Sequence, residues 1–179
     1  MKIKWKSIGI KELAAIVSAK LNESGIDVIL VGGACASIYT ENKYLSSDLD
    51  FVSSTSIKEI SPVLLKLGFE RKSSRHFEKS DCPLFIEFVS PPAALGSEPV
   101  TETNVLKTRL GDIILLTPTD SVKDRLAAYY HWNDPQALDQ ALLISRSQKI
   151  SLIEIKRWSE KEGHKAKYNV FVIMLKRKK

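Results

Sequence analysis

The stretch Val28 to Val52, VILVGGACASIYTENKYLSSDLDFV, constrains the fold of this chain more than any other. It opens with four apolar residues, Val28-Ile29-Leu30-Val31, which read as a short buried strand. Gly32-Gly33 ends that strand, and Ala34 to Tyr39 reads as a helix of small residues packed close behind the turn. A polar loop leads to Asp48-Leu49-Asp50-Phe51-Val52. Strand alternation puts Asp48 and Asp50 on one face and Leu49 and Phe51 on the other. Paired carboxylates repel each other unless a positive charge lies between them. A hard divalent cation with oxygen ligands meets that need. Each half of the pattern is ordinary by itself: an Asp-x-Asp pair also suits a solvated strand, and Gly-Gly suits any tight turn. Their order, strand, glycine turn, helix, acidic strand, is what points to a site.

The rest of the chain is read around that stretch. At 179 residues it is long enough for one domain with a helical appendage, which divides into a core at 1–117 and a helical part at 118–179. Hydrophobic residues make up 44% of the chain, enough for a packed core. No apolar run is long enough to span a bilayer, and Lys11 and Glu12 interrupt any signal-like core after the basic start, so the expected compartment is the cytoplasm, with no membrane partner. Cys35 and Cys82 are too few for a disulfide framework or a zinc site and read as small fillers. The net charge of +6 suits a polyanionic partner or plain solubility, and part of it lies in the terminal Lys176-Arg177-Lys178-Lys179, which reads as a tail.

Helical spacing of Leu13, Ile16, Val17 and Leu21 predicts a helix over Ile8 to Ser24, stopped by Gly25. Ser56 caps a helix reaching Leu67, with Pro62 placed to bend it. Phe69–Lys79 and Leu84–Ser90 read as an antiparallel hairpin, and Asn104–Arg109 with Ile113–Leu116 as a second. Helices follow from Ser121 to Trp132, with Val122, Leu126 and Tyr129 inward, and from Pro135. Another begins at a Ser151/Glu154 capping box, and the apolar Tyr168–Leu175 stretch is read as a last helix in preference to a strand. Tyr129, Tyr130 and Trp132 read as core residues at this spacing, and His76 as structural.

A third acid stands out. Glu87 lies within Phe85-Ile86-Glu87-Phe88-Val89, where a buried lone carboxylate would cost several kcal/mol unless paired or metal-bound. Alternation also allows it simply to face water. A site for divalent cations needs carboxylates that bridge them, and Asp48, Asp50 and Glu87 are the acids on strands that could supply them. Gly32 and Gly33 would let backbone N–H groups approach a triphosphate at a helix N-terminus. The chain has neither a lysine-serine or lysine-threonine phosphate loop nor a dinucleotide fingerprint, which excludes a P-loop ATPase and a Rossmann domain. Arg71, Lys72, Arg75 and His76 form a basic run able to hold phosphates or RNA, or simply to protect an edge strand.

Val31-Gly32-Gly33 followed by Asp48-Leu49-Asp50-Phe51 resembles the motif of the DNA polymerase β-like nucleotidyltransferase superfamily. The likeness extends well from Val28 to about Val89. The spacer Ala34–Ser47 is long for that family, and Ser46 and Ser47 stand where a basic residue often precedes the first Asp. Lys123 to Leu143 is similar to the helical segment of the abortive-infection (AbiEii-like) nucleotidyltransferases. The resemblance implies an α+β nucleotidyltransferase fold: a small mixed β-sheet with helices on one face and a helical C-terminal part. It implies Mg²⁺ on Asp48, Asp50 and Glu87, with Lys123 on nucleotide phosphate. The expected activity moves a nucleoside monophosphate from an NTP to a hydroxyl of RNA, a protein or a small molecule, in a toxin–antitoxin or phage-defence setting. The alternative is a nucleotidyltransferase-fold module without turnover that binds nucleotide, RNA or a partner protein.

Overall fold

The computed structural model describes residues 3–177. The chain begins with a short 3-10 turn at Trp5–Ser7 and helix α1, Ile10–Asn22, which buries Leu13, Val17 and Leu21. Gly25, at φ 72°, turns the chain after it. Strand β1, Ile29–Val31, runs directly into helix α2, Gly32–Tyr39, with Gly32 at φ 71°. An L residue with a side chain rarely adopts that backbone conformation, which is why the turn is built on glycine. Strand β2 is Asp48–Val52 and helix α3 is Ile57–Lys66. The Glu59 carboxylate accepts from both the Ser56 N–H and the Ser56 hydroxyl, fixing the start of α3, and the helix continues through Pro62.

The segment expected as one strand over Phe69–Lys79 divides in two: β3, Glu70–Arg71, and β4, His76–Glu78, pair antiparallel around a turn. The turn is stabilised locally, since Arg71 donates to the Ser73 and Ser74 carbonyls and Lys72 pairs with Glu70. Strand β5, Phe85–Val89, then pairs antiparallel with β4. A small two-stranded hairpin, β6 at Ala94–Leu95 and β7 at Glu98–Pro99, precedes β8, Thr103–Leu106, and β9, Ile113–Leu116.

The main sheet has seven strands in the order β3-β4-β5-β2-β1-β9-β8. It is mixed: β2 lies parallel to β5 and β1 parallel to β9, while β1 and β2 are antiparallel. This register places Leu30, Leu49, Phe51, Ile86, Phe88, Phe77 and Leu115 on one face, where all are buried. Helices α1 and α3 contribute Leu13, Val17, Leu21, Ile60 and Leu64 to the same core. Phe88 anchors it, with Phe51 stacked on one side and Phe77 edge-on at 6.0 Å.

The C-terminal part is helical, with α4 at Pro118–Trp132, α5 at Pro135–Ser147, α6 at Leu152–Lys161 and α7 at Lys165–Lys176. Thr117 caps α4 through its hydroxyl, and Asp134 caps α5 by accepting from the Gln136 and Ala137 N–H groups. Only half of the capping box expected at Ser151 forms: its hydroxyl accepts from Glu154 N–H, but the Glu154 carboxylate is drawn to Lys123 and Arg157. Within α4, Tyr130 is the buried aromatic and Tyr129 is half-buried, while Trp132 is 77% exposed and not a core residue. Trp132 lies two residues, about 200° of helix, beyond the buried Tyr130, so it points away from the face that Val122, Leu126 and Tyr130 pack. Arg177 follows α7, and Lys178 and Lys179 of the expected basic tail lie outside the described residues, as do Met1 and Lys2. No helix among the described residues is long and apolar enough to cross a membrane.

Candidate active site

Asp50 and Glu87 are register partners on the parallel strands β2 and β5, and Phe85 is the partner of Asp48. Asp48, Asp50 and Glu87 therefore share one face of the sheet, opposite the face that carries Leu49, Phe51, Ile86 and Phe88. Asp48 and Asp50 are half-buried and Glu87 is exposed. On the same face His76 is the register partner of Glu87; its ring packs against Phe85 at 4.7 Å and its Nε2 lies 2.7 Å from Glu78.

The glycine turn fits against this acidic face. A Cβ on Gly32 would overlap the Asp50 carboxylate, so the residue that follows β1 has room only for hydrogen there. A Cβ on Gly33 would meet Ser46 Oγ at 2.9 Å and Tyr44 beyond it. Ser46 is the hinge between helix and strand. The Ser37 hydroxyl on α2 accepts from the Ser46 N–H at 2.9 Å, and the Ser46 hydroxyl donates to Asp48 Oδ1 at 2.6 Å. Tyr44 stands nearby, its phenol pushed up by burial and by the charge of Asp48.

At Asp50 the neighbouring acids outweigh the one neighbouring cation. Burial, reinforced by the charge of Asp48, pushes Asp50 up from 3.8 to about 7, and Glu87 and Asp124 add to the rise while Arg125 opposes it. Carboxylates of this kind are a hard-oxygen donor set suited to a divalent cation. Among the described residues, however, no three His, Cys, Asp or Glu side chains converge closely enough to form a ready-made metal cage. The donor set fits, but Glu87 stands out from the aspartates toward solvent.

Lys123, expected to reach nucleotide phosphate, is committed elsewhere. Its side chain is 6% exposed and its ammonium lies 2.9 Å from Glu154 and 3.3 Å from Asp120. Two residues on along α4 is Arg125, whose charge opposes the rise at Asp50. Its Nε and Nη2 donate to Asp124 at 2.9 and 2.6 Å, and its Nη1 donates to Gln140 on α5 at 3.2 Å. Asp124 also lines a cavity of about 130 Å³ with Val31, Val52, Val89 and Leu116, under the β6–β7 hairpin. That hairpin is fastened to α6: Glu98 binds Arg157 and Lys161, the Leu95 carbonyl accepts from the Trp158 indole, and Ser97 donates to Glu162. Ser37, Ser46 and Arg125 were not singled out as site residues in the sequence. The serines carry no signal beyond their place before Asp48. Arg125 differs from Lys123 only in which side of α4 it occupies.

No protein-family model matches the chain, and no curated protein matches it. Solved structures do. The chain is similar to the antigenic nucleotidyltransferase-like protein from Paracoccidioides brasiliensis, with 15% identity, a TM-score of 0.58, and 77% of this chain and 76% of that one covered. It is also similar to ANT(2")-Ia in complex with adenylyl-2"-tobramycin, with 11% identity, a TM-score of 0.54, and 90% and 97% covered. The chain has the nucleotidyltransferase fold. At these identities the likeness is one of fold.

Proposed function

We propose that the protein is a metal-dependent nucleotidyltransferase that moves a nucleoside monophosphate from an NTP to a hydroxyl. The observation that carries the reading is the placement of Asp48, Asp50 and Glu87 on one sheet face beside the Gly32 turn. Asp48 and Asp50 would hold Mg²⁺, with Glu87 as the third ligand. A bound divalent cation would neutralise charge on the triphosphate and on the attacking and leaving oxygens.

The chain's own residues do the rest. Gly32 and Gly33, the first residues of α2, would offer their backbone N–H groups to phosphate oxygens. Ser46, tied to Ser37, holds the Asp48 carboxylate in orientation. Glu87, exposed at the open side, takes the proton of the acceptor hydroxyl. The acceptor oxygen bonds to the α-phosphorus, the bond from that phosphorus to the bridging oxygen breaks, and pyrophosphate leaves. Positioning and electrostatics, with no covalent protein intermediate, account for catalysis of this kind.

The acceptor we propose is a hydroxyl of RNA or protein. ANT(2")-Ia is described with an adenylylated tobramycin, so a small-molecule acceptor belongs in the same test. A toxin–antitoxin or phage-defence setting rests only on the resemblance of Lys123–Leu143 to the AbiEii-like proteins. A second reading, a nucleotide-binding module without turnover, is favoured by the failure of the three acids to converge among the described residues. Incubation with each labelled NTP, Mg²⁺ and total RNA, cell lysate or an aminoglycoside separates the two. Label transferred to an acceptor supports the enzyme, while bound but untransferred nucleotide supports the module.

A further inference from the structure

The sheet face that carries the acids continues past them. On β2 the next residue on that face after Asp50 is Val52, and on β5 the next after Glu87 is Val89. Val52 and Val89 are register partners, and Val31 is the partner of Asp50 on β1. These three valines line the cavity of about 130 Å³ under the β6–β7 hairpin, together with Leu95 of the hairpin and Pro92 before it. An apolar cavity thus adjoins the acids, in line with the glycine turn: Gly33 meets Ser46, Gly32 meets Asp50 and Val31 borders the cavity.

The hairpin over the cavity is held in place. The Leu95 carbonyl accepts from the Trp158 indole at 2.9 Å, Glu98 accepts from Arg157 at 2.6 Å, and the Ser97 hydroxyl donates to Glu162 at 2.6 Å. Asp124 is the one charged residue of the lining. Arg125 donates twice to its Oδ2, and no group among the described residues donates to its Oδ1. A carboxylate paired in this way stays ionised and can only accept.

We propose that this cavity is the nucleobase subsite of the acidic site, and that Asp124 selects adenine or cytosine over guanine or uracil. The inference rests on the nucleotidyltransferase reading given above and names which NTP it uses. A base has flat apolar faces and a polar edge, which suit valines on one side, Leu95 on another and a single carboxylate. The volume is well below the roughly 300–1,000 Å³ of sites for drug-sized ligands, so the cavity takes one ring system and not a whole acceptor. The exocyclic amine of adenine or cytosine donates to Asp124 Oδ1. Guanine and uracil carry a carbonyl at that place, which sets oxygen against carboxylate with no proton between them. A triphosphate on the Gly32–Gly33 turn then runs past the acids to a base in the cavity.

The test is calorimetric binding with Mg²⁺ and no acceptor, using two matched pairs that differ by amine against carbonyl, ATP with ITP and CTP with UTP. Inorganic tripolyphosphate reads the glycine turn and the acids without a base. In at least one pair wild-type protein binds the amine-bearing member about tenfold or more tighter. Asp124→Asn brings that ratio below about threefold, because an amide can also donate to a carbonyl. Val89→Phe, which fills the cavity, weakens the preferred NTP about tenfold. Both variants keep wild-type affinity for Mg²⁺–tripolyphosphate, which also shows that they fold. Lack of preference in both pairs, a preference that survives Asp124→Asn, or unchanged NTP binding by Val89→Phe overturns the inference, while tripolyphosphate binding leaves the enzyme reading standing. If neither tripolyphosphate nor any NTP binds with Mg²⁺, both fall together.

Discussion

Asp50 and Glu87 face each other across the parallel pair β2 and β5, one residue opposite the other, with Asp48 two residues away on the same face. The hydrogen-bond register of the sheet, and not a flexible loop, sets the spacing of the acids. A substitution that alters their charge should therefore leave their backbone in place, which makes them open to separate tests.

Asp50 links the site to stability. The folded protein holds the Asp50 proton up to about pH 7, whereas an ordinary Asp releases it near 3.8. Between those values the folded state binds more protons than the unfolded state, so stability in EDTA falls as pH rises from about 4 to about 7 and then levels off. Asp50→Asn should raise the melting temperature in EDTA at pH 8 and flatten this pH dependence, while weakening Mg²⁺–NTP binding. Thermal melts across that range, with and without Mg²⁺, check both effects.

Gly32→Ala should disable the site through the backbone. The φ of 71° costs a side-chain-bearing residue about 1–2 kcal/mol, and the added methyl would displace the Asp50 carboxylate. Gly33→Ala meets only Ser46 Oγ and Tyr44, so its effect should be smaller and should act through Asp48. Melting temperatures together with nucleotide-binding isotherms for both variants would show the order.

Glu87→Gln should lower turnover more than NTP affinity. Glu87 is exposed beside the half-buried aspartates, and Asp48 and Asp50 remain to hold the nucleotide-bound cation. A loss of roughly 100-fold in kcat matches removal of one proton-accepting group. Equal losses in kcat and in affinity would instead make it a plain binding residue.

Lys123→Met should be a stability variant with nucleotide affinity unchanged. The ammonium is enclosed by Asp120 and Glu154, and its removal leaves the Asp120 carboxylate, 17% exposed, without its partner. The cost should be roughly 1–3 kcal/mol in a denaturant titration.

The parts of this structure legible in the sequence are those fixed by short-range chemistry. Strand alternation through Asp48–Val52 gave the acidic face, and Leu30, Leu49, Phe51 and Phe88 are buried opposite it. The helix starts at Ser56 and Asp134 follow from capping side chains, whereas α4 begins at Pro118, three residues before the expected Ser121, because the Thr117 hydroxyl caps it there. What depends on docking was hidden. Lys123 and Arg125 lie about 200° apart around α4, and only the docking of that helix decides that Lys123 meets Glu154 on α6 while Arg125 meets Gln140 on α5. Strand β1 lies between β2 and β9, a neighbour distant in sequence, which no local pattern reveals. The break of Phe69–Lys79 into β3 and β4 was likewise hidden, because its turn is held by backbone contacts of Arg71.

The most direct test of the central claim is a comparison of α-³²P- and γ-³²P-labelled NTP, each incubated with Mg²⁺ and the acceptor mixture, for wild-type protein and Asp48→Asn. Nucleotidyl transfer predicts acceptor labelling from the α position alone, release of labelled pyrophosphate from the γ position, and neither with Asp48→Asn or in EDTA. Acceptor labelling from the γ position, or α labelling that persists in Asp48→Asn, would contradict the account.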